Sequence, residues 1–149
     1  MDGQAQKGGE TMQTAARNVA LVIVSHSRAL AEGVRELAAG MGGPGVAIYV
    51  AAGTPDGGLG TDTEEVRRTL LQALEAREAA VLLFDLGSAY LSSTAALELL
   101  DEPFRERVVI ADAPLVEGAI VAAVEAALGK EVGEVKAAAE SVRSLKKIT

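Results

Sequence analysis

The run Val19-Ala20-Leu21-Val22-Ile23-Val24 constrains this chain more than any other stretch. Six consecutive apolar residues lead without interruption into the polar turn Ser25-His26-Ser27. A strand that is apolar at every position, rather than at every second one, is buried on both faces, as in a parallel sheet covered by helices. Behind the turn, Leu30, Val34, Leu37 and Met41 recur at helical spacing and predict an amphipathic helix with these four on its buried stripe. The turn therefore joins the carboxyl end of a strand to the start of a helix, which is where open α/β sheets place ligands and chemistry. His26, the only histidine of the chain, stands in it.

The same succession of apolar run, polar turn and helix returns along the chain. After the break at Gly42-Gly43-Pro44-Gly45, a second strand is expected over 46–50, then a loop over 51–60 with four glycines and Pro55. A functional loop and a solvated connection both fit that composition. A helix starts near Thr61-Asp62-Thr63, capped by a hydroxyl or carboxylate, with acids in its first turn and Val66, Leu70, Leu71 and Leu74 as its buried stripe. A third strand over 79–84 ends in Asp85-Leu86-Gly87-Ser88. The following helix, about 89–100, is apolar around most of its circumference through Tyr90, Leu91, Ala95, Ala96, Leu97, Leu99 and Leu100. One face is expected against the sheet and the remainder against a second subunit.

Asp101-Glu102-Pro103 is expected to end that helix, and 108–111 forms a fourth strand. Pro114 falls near the first position of a helix over 115–128, which Gly129 ends. A final, more polar helix is expected over about 131–147, with basic residues in its last turn complementing the macrodipole. Residues 1–17, rich in glycine, glutamine and charge, read as a flexible N-terminal extension, leaving 18–149 as one domain. Alternating strands and helices of these lengths predict an α/β fold. It is a doubly wound, mainly parallel sheet of four to five strands in the order 2-1-3-4, with helices on both faces.

Composition narrows the function. The absence of cysteine excludes disulfides, thiolate metal sites and cysteine nucleophiles. A formal net charge of -7 disfavours nucleic acid and anionic membranes, and 3% aromatic residues leave few stacking platforms for bases. No apolar run approaches the roughly 20 residues of a membrane span. Residues 1–17 lack the pattern of a secretory leader, so a cytoplasmic location is expected.

In a sheet of that order the first and third strands are neighbours, so His26 and Asp85 sit at adjacent carboxyl ends and can meet. A carboxylate accepting from one ring nitrogen fixes the tautomer and makes the other nitrogen the better nucleophile. Gly87 and Ser88, opening a helix, offer N–H groups and a hydroxyl to an anion. An aspartate at a strand end also serves as a cap for the next helix, and both roles remain open. Together these features suggest phosphoryl transfer through histidine.

Several motifs in register carry a resemblance. Ile23-Val24-Ser25-His26-Ser27 with Leu30-Ala31-Glu32-Gly33-Val34, Gly60-Thr61-Asp62, Asp85-Leu86-Gly87-Ser88-Ala89, and Ala113 to Ala119 resemble one enzyme family. It is the phosphotransferase subunit of phosphoenolpyruvate-dependent dihydroxyacetone kinase, within the mannose-class enzyme IIA domains of the sugar phosphotransferase system. The resemblance covers about 19–129. It implies a phosphohistidine at His26, supplied by the histidine-containing phosphocarrier protein and passed to ADP on a nucleotide-binding partner subunit. A further subunit holds dihydroxyacetone. Asp85 would orient the imidazole, and Gly87, Ser88 and Ser27 would bind the phosphate. A homodimer is implied, with no metal and no tightly bound cofactor beyond the phosphoryl group itself. The alternatives are an enzyme IIA component of a mannose-type sugar transporter and a non-catalytic regulatory module binding the kinase subunits.

Three other folds with chemistry at strand ends fit less well. A tetrapyrrole chelatase needs a second metal-binding histidine, which this chain lacks. A receiver domain needs acidic residues after its first strand to hold magnesium, where Ser25-His26-Ser27 stands. A dinucleotide-binding module needs G-x-G-x-x-G at that place.

Overall fold

Four strands, all parallel and in the order β2-β1-β3-β4, divide the interior into two apolar layers. The computed structural model describes residues 18–149, and the expected extension 1–17 lies outside them. The strands are β1 (Val19–Ser25), β2 (Ile48–Ala52), β3 (Ala79–Phe84) and β4 (Val108–Ile110). β1 is buried at all seven positions, as its unbroken apolar run requires. The expected fold class and strand order are borne out.

One layer joins Leu21, Ile23, Val81 and Leu83 to α1 (Arg28–Gly42), α5 (Leu115–Ala127) and α6 (Val132–Ser141). The other joins Ala20, Val22, Val24 and Leu82 to α2 (Thr63–Ala76) and α3 (Gly87–Glu98). Asp62 caps α2 by accepting from Glu64 N–H at 3.3 Å, with Glu64 and Glu65 in the first turn, as expected.

Several elements depart from expectation. Of the α1 stripe only Val34 is buried, whereas Leu30, Leu37 and Met41 are exposed. The buried face of α1 is instead Ala31, Val34 and Ala38, which meets Ala119, Ala122 and Ala123 of α5. Small residues on both helices let them approach so closely that bulky side chains can only turn outward. At Gly42 an added Cβ would lie 2.9 Å from Ala123 Cβ. On α2, Leu71 is half-buried, while Thr69 and Ala73 join the buried stripe.

β2 lies two residues later than expected. Its pairing runs to Ser25↔Ala52, so it extends as far as the end of β1 and delivers the next loop beside His26. α3 begins at Gly87, two residues earlier than expected. The Asp101-Glu102-Pro103 stop itself opens a short helix, α4 (Glu102–Arg105), with Pro103 in its first turn where a missing N–H is harmless. Pro114 stands one residue ahead of α5. The last helix stops at Ser141 and passes into a 3₁₀ turn, Val142–Ser144. Ser141 and Ser144 there donate back to the carbonyls of Ala138 and Ser141, competing with helix continuation. Of the basic residues beyond, Arg143 lies in that 3₁₀ turn, whereas Lys146 and Lys147 follow it outside any helix. Arg143 pairs with Asp112 at 2.7 Å and Lys147 with Glu117 at 2.7 Å.

Candidate active site at the ends of the central strands

The register of β1 on β3 aligns Val24 with Phe84, so the residues that follow emerge side by side from the sheet. Asp85 is placed there by its own N–H, which donates to the Val24 carbonyl at 3.2 Å. Its carboxylate is saturated. Oδ1 accepts from His26 Nδ1 at 2.9 Å and from Leu86 N–H at 2.7 Å. Oδ2 accepts from the Ser25 hydroxyl at 2.8 Å and from His26 N–H at 2.9 Å. Burial pulls this carboxyl toward the neutral form, but the His26 N–H, the imidazole, the Ser25 hydroxyl and the Leu86 N–H outweigh it and hold the group below its ordinary value.

An ionised carboxylate only accepts, so His26 Nδ1 carries a proton toward Asp85. In the neutral ring Nε2 then has a free lone pair, and it lies 2.5 Å from the Ser88 hydroxyl. The imidazole is 23% exposed and the Asp85 side chain 10%, so the ring is reachable while its anchor is sheltered. Asp85, His26 and Ser88 thus form one hydrogen-bonded chain from the interior to the surface.

The side chain of Asp85 makes no capping hydrogen bond to α3. The cap position of α3 is Leu86, with no side-chain cap, so Asp85 serves the imidazole and the adjoining turn. Gly87 is the first residue of α3, ahead of Ser88. Ser27 caps α1, its hydroxyl accepting from Leu30 N–H at 3.2 Å. Among the described residues, no group of three or more His, Cys, Asp or Glu is arranged to hold a metal ion.

Two features escaped the sequence reading. Ser25 belongs to the strand rather than to the turn, is fully buried, and reaches the Asp85 carboxylate. The loop after β2 is tied to the site: Gly53 N–H donates to the Ser25 carbonyl at 3.1 Å and Gly60 N–H to the His26 carbonyl at 2.9 Å. Gly60 adopts φ 141°, which L side chains rarely take. Thr61 then meets Ser92 of α3 at 2.6 Å, and Leu59 is left exposed. The glycine content marked the loop, but nothing local in the sequence marked what it folds back upon.

A three-layer parallel α/β domain with a carboxylate-anchored histidine at its central strand ends defines a class. A model of the family described as PTS system fructose IIA component, of the mannose type, matches residues 20–136, and the chain belongs to that family. The phosphoryl donor subunit DhaM of PEP-dependent dihydroxyacetone kinase 2 from Listeria innocua is 42% identical over 107 residues, covering 72% of this chain and 85% of that one. The corresponding DhaM subunit from Pantoea ananatis is 44% identical over 120 residues, which are 78% of this chain and 25% of that protein. The chain therefore spans about a quarter of that longer relative. A crystal structure of the unknown-function protein EF1359 superimposes with a TM-score of 0.78 at 33% identity, covering 89% of this chain and 98% of that one. The resemblance read from the motifs is borne out.

Proposed function

We propose that this chain is a phosphohistidine carrier, the phosphoryl donor component of a dihydroxyacetone kinase system fed by phosphoenolpyruvate. The observation that carries this is the chain from Asp85 through His26 to Ser88. It directs one ring nitrogen to a carboxylate and leaves the other facing outward beside a hydroxyl. The names of the relatives from Listeria innocua and Pantoea ananatis support the kinase assignment.

In the proposed cycle the Nε2 lone pair of His26 attacks the phosphorus of a phosphohistidine on the histidine-containing phosphocarrier protein. The new Nε2–P bond forms as the donor's N–P bond breaks, and the donor imidazole leaves with the bonding pair. Positive charge grows on the His26 ring, and Asp85 stabilises it through Nδ1–H without taking the proton. Ser88, freed from Nε2, turns its O–H to a phosphoryl oxygen, aided by the N–H groups at the start of α3. In the second transfer a terminal phosphate oxygen of ADP on a nucleotide-binding subunit attacks the phosphorus; the new O–P bond forms as the Nε2–P bond breaks, and the bonding pair returns to Nε2, restoring the starting ring. A subunit holding dihydroxyacetone consumes the ATP so formed. The carrier works as a homodimer in the cytoplasm and needs no tightly bound cofactor.

The test is incubation with labelled phosphoenolpyruvate and the two general carrier proteins. Label on this chain should be acid-labile and base-stable, absent from His26→Ala, and discharged by ADP only when the nucleotide-binding subunit is present. Label that instead discharges only onto a sugar-transporter B component would reassign the chain to sugar uptake. No label at all would leave a regulatory module.

A further inference from the structure

We infer that Ser25 is a positioning residue for this phosphoryl transfer, its buried hydroxyl holding Asp85 in the orientation that presents Oδ1 to His26 Nδ1. The role rests on His26 being the phosphoryl carrier, and it gives a part in that site to a residue to which the motifs assigned none. Ser25 is the last residue of β1 and is 0% exposed. Its Oγ lies 2.8 Å from Asp85 Oδ2 and accepts Ser27 N–H at 3.1 Å.

These two contacts leave the hydroxyl no freedom. Its single proton must go to the carboxylate, which cannot donate, and a lone pair is engaged by the backbone N–H. The terminal torsion of an aspartate is broad and roughly two-fold, so packing alone sets it poorly. Here hydrogen bonds set it, and among the described residues Ser25 is the one side chain besides His26 that supplies one. The remaining three come from His26 itself and from Leu86 N–H, groups that move with the turn being positioned. Ser25, by contrast, is anchored in the sheet, paired with Ala52 of β2. It therefore references the carboxylate to the rigid part of the fold. At the same time it holds the Ser27 N–H at the entry to α1, so the turn carrying His26 is gripped at both ends.

The test is Ser25→Ala, which removes one oxygen and adds no bulk. Two quantities are measured on the whole chain: the steady-state rate of phosphoryl transfer from the phosphorylated carrier protein to ADP, with the nucleotide-binding subunit in excess, and the ¹⁵N spectrum of the unphosphorylated imidazole. The expected result is a fall of about 10- to 100-fold in kcat, in the range of lost partners that orient a reactive group, with KM for the carrier protein unchanged. The imidazole spectrum should move from the Nδ1–H tautomer toward a mixture of both tautomers. Wild-type kcat with a wild-type spectrum would overturn the inference while leaving the carrier function intact. A reduced kcat with an unchanged spectrum would also overturn it, because the loss would then not act through the imidazole. Failure of the carrier function itself reads out separately, as label retained by His26→Ala, and the tautomer measurement does not depend on it.

Discussion

Asp85 and His26 are coupled closely enough that the chemistry of one is set by the other, yet their roles separate under substitution. His26→Ala should abolish phosphate uptake, because the chain has no other imidazole. Asp85→Ala should still accept phosphate, at a rate lower by about 100- to 10,000-fold, the range typical of general base or orienting groups. Ser88→Ala should lose less, since backbone N–H groups at the start of α3 remain for the phosphate. Rapid-quench measurement of label uptake separates the three, and an Asp85→Ala variant at the wild-type rate would reduce the carboxylate to a turn-holding role. Asp85 also links stability to acid. Burial opposes its ionisation, but the donors around it prevail, so its folded pKa lies below the ordinary 3.8. A depressed carboxyl stabilises the fold at pH above the unfolded value and loses that contribution as pH falls through the folded one. Urea denaturation should therefore show wild type ahead of Asp85→Asn above the ordinary carboxyl value of 3.8, with the gap closing as pH falls below it. A gap that is constant with pH would mean the carboxylate is not preferentially ionised in the folded state.

At the scale of elements, the strands were legible because β1 and β3 are apolar at nearly every position, a pattern with few other solutions. The pairing of His26 with Asp85 followed from strand order alone. What escaped was the rotation of α1, and the reason is physical. Leu30, Val34, Leu37 and Met41 share helical spacing, but so do Ala31, Val34 and Ala38, and apolar periodicity weights the larger set. Only the alanines of α5 decide between them, and those lie some 80 residues away in the sequence. Ser25 escaped for a similar reason, since its partner is 60 residues distant and a serine beside a histidine reads as turn. The close α1–α5 contact gives a direct test. Gly42→Ala would set a Cβ 2.9 Å from Ala123 Cβ and 3.0 Å from its carbonyl oxygen, which is backbone and cannot move aside cheaply. Overpacking of that kind costs about 1–3 kcal/mol. At Gly33 and Gly40 of the same helix an added Cβ meets nothing within 4 Å. Alanine there should instead stabilise by about 0.4–1 kcal/mol each, by restricting the unfolded chain. Thermal melts of the three variants should split in sign, and a neutral Gly42→Ala would mean the two helices can part without cost.

For the whole molecule the open question is what covers α3. Leu91 is 67% exposed and Leu99 61%, with exposed Ala95 between them on the helix, two turns of apolar surface facing away from the sheet. A homodimer through this helix, the arrangement expected from the sequence, would bury both leucines on each copy, because a two-fold axis uses the same patch twice. Complete burial of an exposed leucine contributes about 1.5–3 kcal/mol, and with roughly two-thirds of each left to bury, four give roughly 4–8 kcal/mol before costs. Association itself costs on the order of 4–15 kcal/mol. Gain and cost are of the same size, which predicts a dimer that dissociates at accessible concentrations rather than an obligate one. Charge acts against it as well: each copy carries a formal -7, and like-charged molecules repel unless salt screens them. Sedimentation at micromolar concentration should therefore show the dimer fraction rising between about 10 mM and 150 mM salt, over which the screening length falls from roughly 30 to 8 Å. Leu99→Glu would place two further negative charges near the axis and remove two buried leucines, enough to leave only monomer. The site at the opposite end of α3, where Ser88 meets His26, is spared by that substitution. A wild type that stays monomeric at every salt concentration would remove the dimer, and a dimer indifferent to Leu99→Glu would move its interface to another face.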